Sequence, residues 1–425
     1  MIMQIPLPFR RLRLPSTLGG LSGSLVTLAL LSGCTTPAPP EPIGKVADMM
    51  TLAPELQAPT FRNQDRLYPT RSIKRGSRAH PLPAGTPLTG LTYTVKDGTF
   101  NVDQFMERNR TAGLLIIKDG KVVLERYAMG NTAESRYISF SVAKAFTSTL
   151  IGVAIQDGYI HSLDDSVTQY VPALAGSAYD GVTVKQVLQM SSGVGWNEDY
   201  LNPESDNRKM MVARTSGEKG AALRFMRTLK RVAPAGSVFN YSTGETYLAG
   251  EILAGAIKQP LSEYFSKKIW APFGMEAEAY WQLESQNGQE YAGSGVSARL
   301  RDYGRFGLFV MHDGVIDGKR VLPEGWMAAA TNADPAGRLA PGKIHHYEPM
   351  GYGYQWWTFP IGAQALPNLD GGMYAAHGIF GQSIYVNPQE KIVVALHSAW
   401  PKPVYGKSIA ETITFVGAAT AALRP

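Results

Sequence analysis

Apolar residues fall into two kinds of pattern along this chain. Near the start of the folded part, Leu114-Leu115-Ile116-Ile117 and Val122-Val123-Leu124 flank Lys118-Asp119-Gly120-Lys121. Two apolar runs around Asp-Gly predict a β-hairpin. From Ser141 to Ile155 the apolar positions recur at helical spacing, and Gly158 ends the run. Helices are predicted again over 221–229, 246–257, 261–269 and 299–311. Strands return over 352–359, 383–386 and 392–396, and a last helix covers about 408–422. Strands thus open and close the chain while helices fill the stretch of about 180–290. That order predicts an α/β (α+β) fold: an antiparallel sheet flanked by helices, with an inserted all-helical lobe.

The N-terminal 90 residues follow neither pattern. Arg10, Arg11 and Arg13 precede an apolar stretch that is densest at Leu25-Val26-Thr27-Leu28-Ala29-Leu30-Leu31 and ends in Leu31-Ser32-Gly33-Cys34. The run is too short, and too broken by Gly and Ser, to span a bilayer, and reads as a signal peptide. Small residues before the chain's single Cys resemble the lipobox of bacterial lipoproteins, in which that Cys becomes the acylated first residue. The resemblance implies a lipid anchor at Cys34 and a place in the cell envelope, facing the periplasm from the outer membrane, since no Asp follows the Cys. Each buried CH₂ of such an anchor contributes about 0.8 kcal/mol. The Pro-rich residues 35–60 read as an extended tether, 61–90 as a polar arm, and 91–425 as the main folded domain.

The charge changes little in this picture. A net +6 includes the three arginines before Cys34; without them 38 basic residues face 35 acidic ones, or +3. No basic run or stripe points to nucleic acid. One Cys excludes an internal disulfide framework.

The candidate chemistry begins at Ser141-Val142-Ala143-Lys144. A Ser opening a helix lies at the positive end of its dipole. A Lys three residues on shares its face and can act as a base once desolvated. The motif alone is weak: roughly one Ser-x-x-Lys arises by chance in a chain of this length, and Ser216-Gly217-Glu218-Lys219 matches too, in a polar stretch. A second element is Tyr241-Ser242-Thr243, which precedes a helix. A third is His377-Gly378-Ile379, which leads into a strand. Ser-x-x-Lys, Tyr-Ser-Thr a hundred residues later and a Gly-containing His motif before a terminal strand together resemble the serine β-lactamase and penicillin-binding-protein superfamily. The resemblance is strongest to the class C-related branch that holds 6-aminohexanoate-dimer hydrolases and family VIII esterases. Val187-Leu188-Gln189-Met190-Ser191-Ser192-Gly193-Val194 and Arg301-Asp302-Tyr303-Gly304-Arg305-Phe306-Gly307 extend it over about 90–420.

That resemblance implies Ser141 as acylated nucleophile, Lys144 and Tyr241 as proton relay, and the Ile379 N–H as an oxyanion donor beside that of Ser141. It also implies that His377 and Gly378 line the site and that Tyr200, in Trp196-Asn197-Glu198-Asp199-Tyr200, donates to a substrate amide. The usual Lys-Thr-Gly of lactamases is His377-Gly378-Ile379 here, and their Tyr-x-Asn is Tyr241-Ser242-Thr243. The expected activity is therefore amide or ester hydrolysis of a small molecule, with no cofactor or metal. The alternatives are a penicillin-recognising D,D-peptidase or β-lactamase, and a non-catalytic lipoprotein that binds cell-wall peptide. His345-His346 reads as a surface loop rather than a metal site, and Trp356-Trp357 as core or pocket wall.

Overall fold

In a computed structural model, residues 40–332, 350–359, 369 and 372–424 are described, and residues from Pro42 onward form one compact unit. Its centre is a seven-stranded antiparallel sheet. In spatial order the strands are Gly351–Tyr352, Trp357–Thr358, Tyr374–Gly378, Gln382–Asn387, Ile392–Ser398, Thr111–Lys118 and Lys121–Tyr127. The first long strand pairs with the last, Ile116 facing Val394, so the two ends of the domain close one sheet. The predicted hairpin turns at Asp119 and Gly120, with φ of 51° and 73°. Both central turn residues lie in the left-handed region, which matches the strand twist and suits Asp-Gly.

The run Leu114-Leu115-Ile116-Ile117 is apolar throughout because both faces of the sheet are covered. Leu115 and Ile117 join a core with Phe306 and Phe309 of the helix Leu300–Met311. Leu114 and Ile116 face the other way, toward Phe105 of the helix Val102–Arg108 and Phe415 of the C-terminal helix Gly406–Ala422. The Arg301–Gly307 motif is structural. Asp302 accepts from the N–H groups of Glu276 and Ala277 (2.8 and 3.2 Å) and from Arg305 (3.0 Å), and the Tyr303 hydroxyl donates to Tyr137 O (3.0 Å).

The helical stretch holds Val184–Leu188, Asp206–Arg214, Ala221–Met226, Thr243–Ile257 and Leu261–Phe265. It ends in the strand Ala279–Gln282 of a second, four-stranded sheet. The strand predicted over 352–359 is instead two short strands around a turn, in which the Gly353 N–H donates to Trp356 O (2.9 Å) and Gln355 has a φ of 65°.

The N-terminal expectation needs correction. From Pro42 the segment read as a tether belongs to the folded unit, and the domain begins well before residue 91. Pro54–Arg62 is a helix, and Met49, Leu52, Ala58 and Phe61 are buried. The arm beyond it adds the strand Thr70–Ile73, which pairs with Ala279–Gln282. Proline at the first helical turn starts this helix instead of excluding it. Cys34, the signal-like segment and His345-His346 lie outside the described residues. Among the described residues, no helix is long and apolar enough to cross a membrane.

Candidate active site

Ser141 is positioned by both sheets. The strand Arg136–Ile138 leads straight into a 3-10 turn, Phe140–Val142, and then the helix Ala143–Gln156. Ser139 brackets the turn against a neighbouring strand: its N–H donates to Val296 O (2.7 Å), and its hydroxyl accepts from the Val296 N–H (3.2 Å). Phe140 is held at a φ of 42°, and Phe380, on the facing turn, at 60°. Such left-handed conformations in bulky residues are strained and persist only where packing fixes them. Here the two rings pack on each other (5.4 Å between centroids) and on buried Phe61 (5.1 and 5.0 Å). The N-terminal helix therefore braces both turns of the site.

Lys144 is almost completely buried. Its Nζ donates to Ser141 Oγ (2.9 Å), Thr243 Oγ1 (3.0 Å) and the Gly293 carbonyl (3.0 Å). Burial pulls its pKa down to about 8, with the Glu198 charge acting the other way. Tyr241 packs against it, with Nζ 5.1 Å from the ring centroid, and Trp357 stacks on Tyr241 at 5.8 Å. The Tyr241 loop is tied down by Met190, whose carbonyl accepts from the Asn240 N–H (2.8 Å), while Ser242 caps the following helix by accepting from the Glu245 N–H (3.1 Å). Ser192 donates to Glu245, which burial pushes up to about 8. The stretch Val187–Val194 thus supports Tyr241 from below.

Gly378 is required by close approach. A Cβ there would lie 2.5 Å from Ser139 O and 3.0 Å from Ser141 N. The end of the strand Tyr374–Gly378 therefore lies flush against the Ser141 turn, and a side chain would fill the space in front of the Ser141 N–H. His377 accepts from or donates to Ser383 Oγ (3.0 Å), and burial lowers its pKa to about 3, so its ring is neutral. Ser141, Tyr200, Tyr241, His377, Gly378 and Ile379 line one small cavity together with Trp357. All the predicted site residues in the folded unit are brought together there, Lys144 directly beneath.

Sequence reasoning missed the residues behind this surface. Glu198 is buried, and its carboxylate accepts from Tyr200 (2.9 Å), Asn207 (3.1 Å), the Thr243 N–H (2.9 Å), the Thr243 hydroxyl and the Trp196 indole. Thr243, at the position of the lactamase Asn, joins Lys144 to Glu198. An acidic residue two before Tyr200 was visible in the sequence; its burial was not. Among the described residues no group of three or more His, Cys, Asp or Glu could hold a metal ion.

A Ser beside a buried Lys, an aromatic hydroxyl and a backbone-lined pocket is an arrangement suited to nucleophilic chemistry. Residues 101–418 match the Beta-lactamase family, so the chain belongs to the β-lactamase family and is a hydrolase of that superfamily. Among characterised proteins it is 29% identical over 370 residues to the 6-aminohexanoate-dimer hydrolase of Paenarthrobacter ureafaciens, covering 85% of this chain and 91% of that one. A Bacillus anthracis structure, provisionally named a 6-aminohexanoate-dimer hydrolase, superposes with a TM-score of 0.73 at 23% identity, over 84% of this chain and 92% of the other. EstCE1, a hydrolase with promiscuous acyltransferase activity, shares the fold at a TM-score of 0.62 and 16% identity, over 74% and 96% of the two chains.

Proposed function

We propose that this hydrolase cleaves an amide or ester bond of a small substrate through an acyl-enzyme on Ser141. One observation carries the reading: a buried lysine with its pKa drawn down to about 8 donates to Ser141 Oγ at 2.9 Å. In its neutral form Lys144 takes the Ser141 proton as Oγ attacks the carbonyl carbon. Tyr241, packed against Lys144, passes the proton to the leaving amine or alcohol. The N–H groups of Ser141 and Ile379 receive the oxyanion. Water, deprotonated by the same pair, then releases the acid and frees Ser141. Tyr200, hydrogen-bonded to Glu198, faces the substrate across this pocket.

The relative that covers nearly the whole chain is a 6-aminohexanoate-dimer hydrolase, which supports an amide or ester substrate over a β-lactam or D,D-peptide. Replacement of the usual third-motif lysine by His377 supports the same choice. The Arg10–Cys34 segment supports a lipoprotein anchored at Cys34 in the cell envelope.

The test is intact mass after exposure to a fluorophosphonate. A single adduct is expected on the wild type and none on Ser141→Ala. An adduct on both proteins would remove Ser141 from its role, and none on either would favour a binding protein.

A further inference from the structure

A second small cavity, of about 30 Å³, adjoins Ser141; Phe140, Met211, Arg214, Tyr291 and Ile379 contribute to its wall. Arg214 ends the helix Asp206–Arg214 and is only 5% exposed. Its guanidinium lies 3.9 Å from the Tyr291 ring centroid and 5.1 Å from that of Tyr68, whose hydroxyl it also meets. Those rings offer π faces and no counter-charge. Its Nε and Nη1 are buried and donate to nothing. Glu198, whose carboxylate is held by Trp196, Tyr200, Asn207 and Thr243, forms no ion pair with it.

A buried cation with two idle donors is costly unless an anion completes it. Nε and Nη1 lie on different edges of the guanidinium, each beside Nη2, and either edge can meet a carboxylate in fork geometry. A water-sized group needs ~10–15 Å³ of such space, so this cavity has room for about the two oxygens of a carboxylate. The cavity is small, whereas the other side of Tyr200 opens into a cleft of about 480 Å³ lined by Trp196, Leu201, Asn240 and Val404. A leaving group must depart while the acyl group remains on Ser141, so the narrower side suits the acyl end.

We infer that Arg214 anchors a carboxylate at the far end of the acyl group, so that the substrates are monoamides or monoesters of short dicarboxylic acids. The inference rests on the acyl-enzyme reading above. The substrate's scissile bond breaks as Ser141 Oγ bonds its carbonyl carbon; the amine or alcohol leaves with a proton, and one water yields the free dicarboxylate.

The experiment compares kcat/KM for p-nitrophenyl hydrogen glutarate and for uncharged p-nitrophenyl pentanoate. Wild type should favour the glutarate ester, and Arg214→Met should lower that preference by about 10- to 100-fold, the range for charge-assisted hydrogen bonds. Arg214→Lys, which keeps the charge but loses the fork, should restore only part of it. No preference in the wild type, or a preference that survives Arg214→Met, would overturn the inference. Calorimetry with glutarate on Ser141→Ala, with and without Arg214→Met, separates the two readings. Arg214-dependent binding without wild-type turnover would keep the carboxylate site and discard the acyl-enzyme. Turnover of pentanoate without glutarate binding would do the reverse.

Discussion

The chain contains two Ser-x-x-Lys segments whose fates differ. Ser141 and Lys144 lie at the start of an apolar helix, both buried, with Nζ bonded to Oγ at 2.9 Å. Ser216 and Lys219 lie in an exposed loop after the helix Asp206–Arg214. There the Ser216 hydroxyl donates to Ala213 O (2.7 Å) and accepts from the Glu218 N–H (3.2 Å), which makes it a turn-former. The spacing is identical. What differs is that a helix places the first Lys against its Ser, and that burial penalises its charged form. A lysine in water has no reason to surrender a proton to the task; one held in the core does.

The largest way to break this comparison is to delete each lysine. Lys144→Met should lower kcat/KM for a p-nitrophenyl ester by about 10²- to 10⁴-fold, the usual contribution of a positioned base, while Lys219→Met should leave it unchanged. Equal losses would erase the distinction. Next in size is Gly378→Ala, whose methyl would crowd Ser139 O and Ser141 N at 2.5 and 3.0 Å. With the proposed oxyanion donor obstructed, kcat should fall about 10²- to 10³-fold, with the circular dichroism spectrum retained; an unchanged kcat would place the oxyanion elsewhere.

The pH profile sharpens the comparison further. In the proposed mechanism neutral Lys144 is the active form, so kcat/KM should rise with pH and level off above about 8. Glu198 holds that value up, so Glu198→Gln should move the limb to lower pH. A limb that stayed in place or moved upward would uncouple the two. The smallest effect is on stability. The folded-state pKa of Lys144 lies below its ordinary 10.5, so the unfolded chain binds more protons between about 8 and 10.5, and stability rises with pH across that window. Below it the penalty is complete, and urea denaturation at pH 7 should find Lys144→Met more stable than wild type.

Much of the fold was legible before any coordinates. The Asp119-Gly120 hairpin, the Ser141 helix, the strands Gln382–Asn387 and Ile392–Ser398 and the last helix carry strong periodicity or turn chemistry. The pair Gly351–Tyr352 and Trp357–Thr358 was misread as one strand, because its break depends on a local turn inside an apolar run. The stretch around Phe61 was misread as tether and arm because a Pro-rich segment precedes it and polar residues follow, while the Phe140 and Phe380 rings it packs against lie far along the chain. The three motifs supplied Ser141, Lys144, Tyr241 and the Gly378 turn. They did not supply Glu198, Thr243 as a bridge, or Arg214.

The sequence by itself determined which segments bury apolar surface and which residue types could do chemistry, since periodicity and turn propensity are local. Only the tertiary structure decided which charges lose their water. Desolvation is set by everything that packs around a group, and most of those neighbours are distant in the chain. It is that loss of water that separates Lys144 from Lys219 and leaves the Arg214 guanidinium facing a cavity.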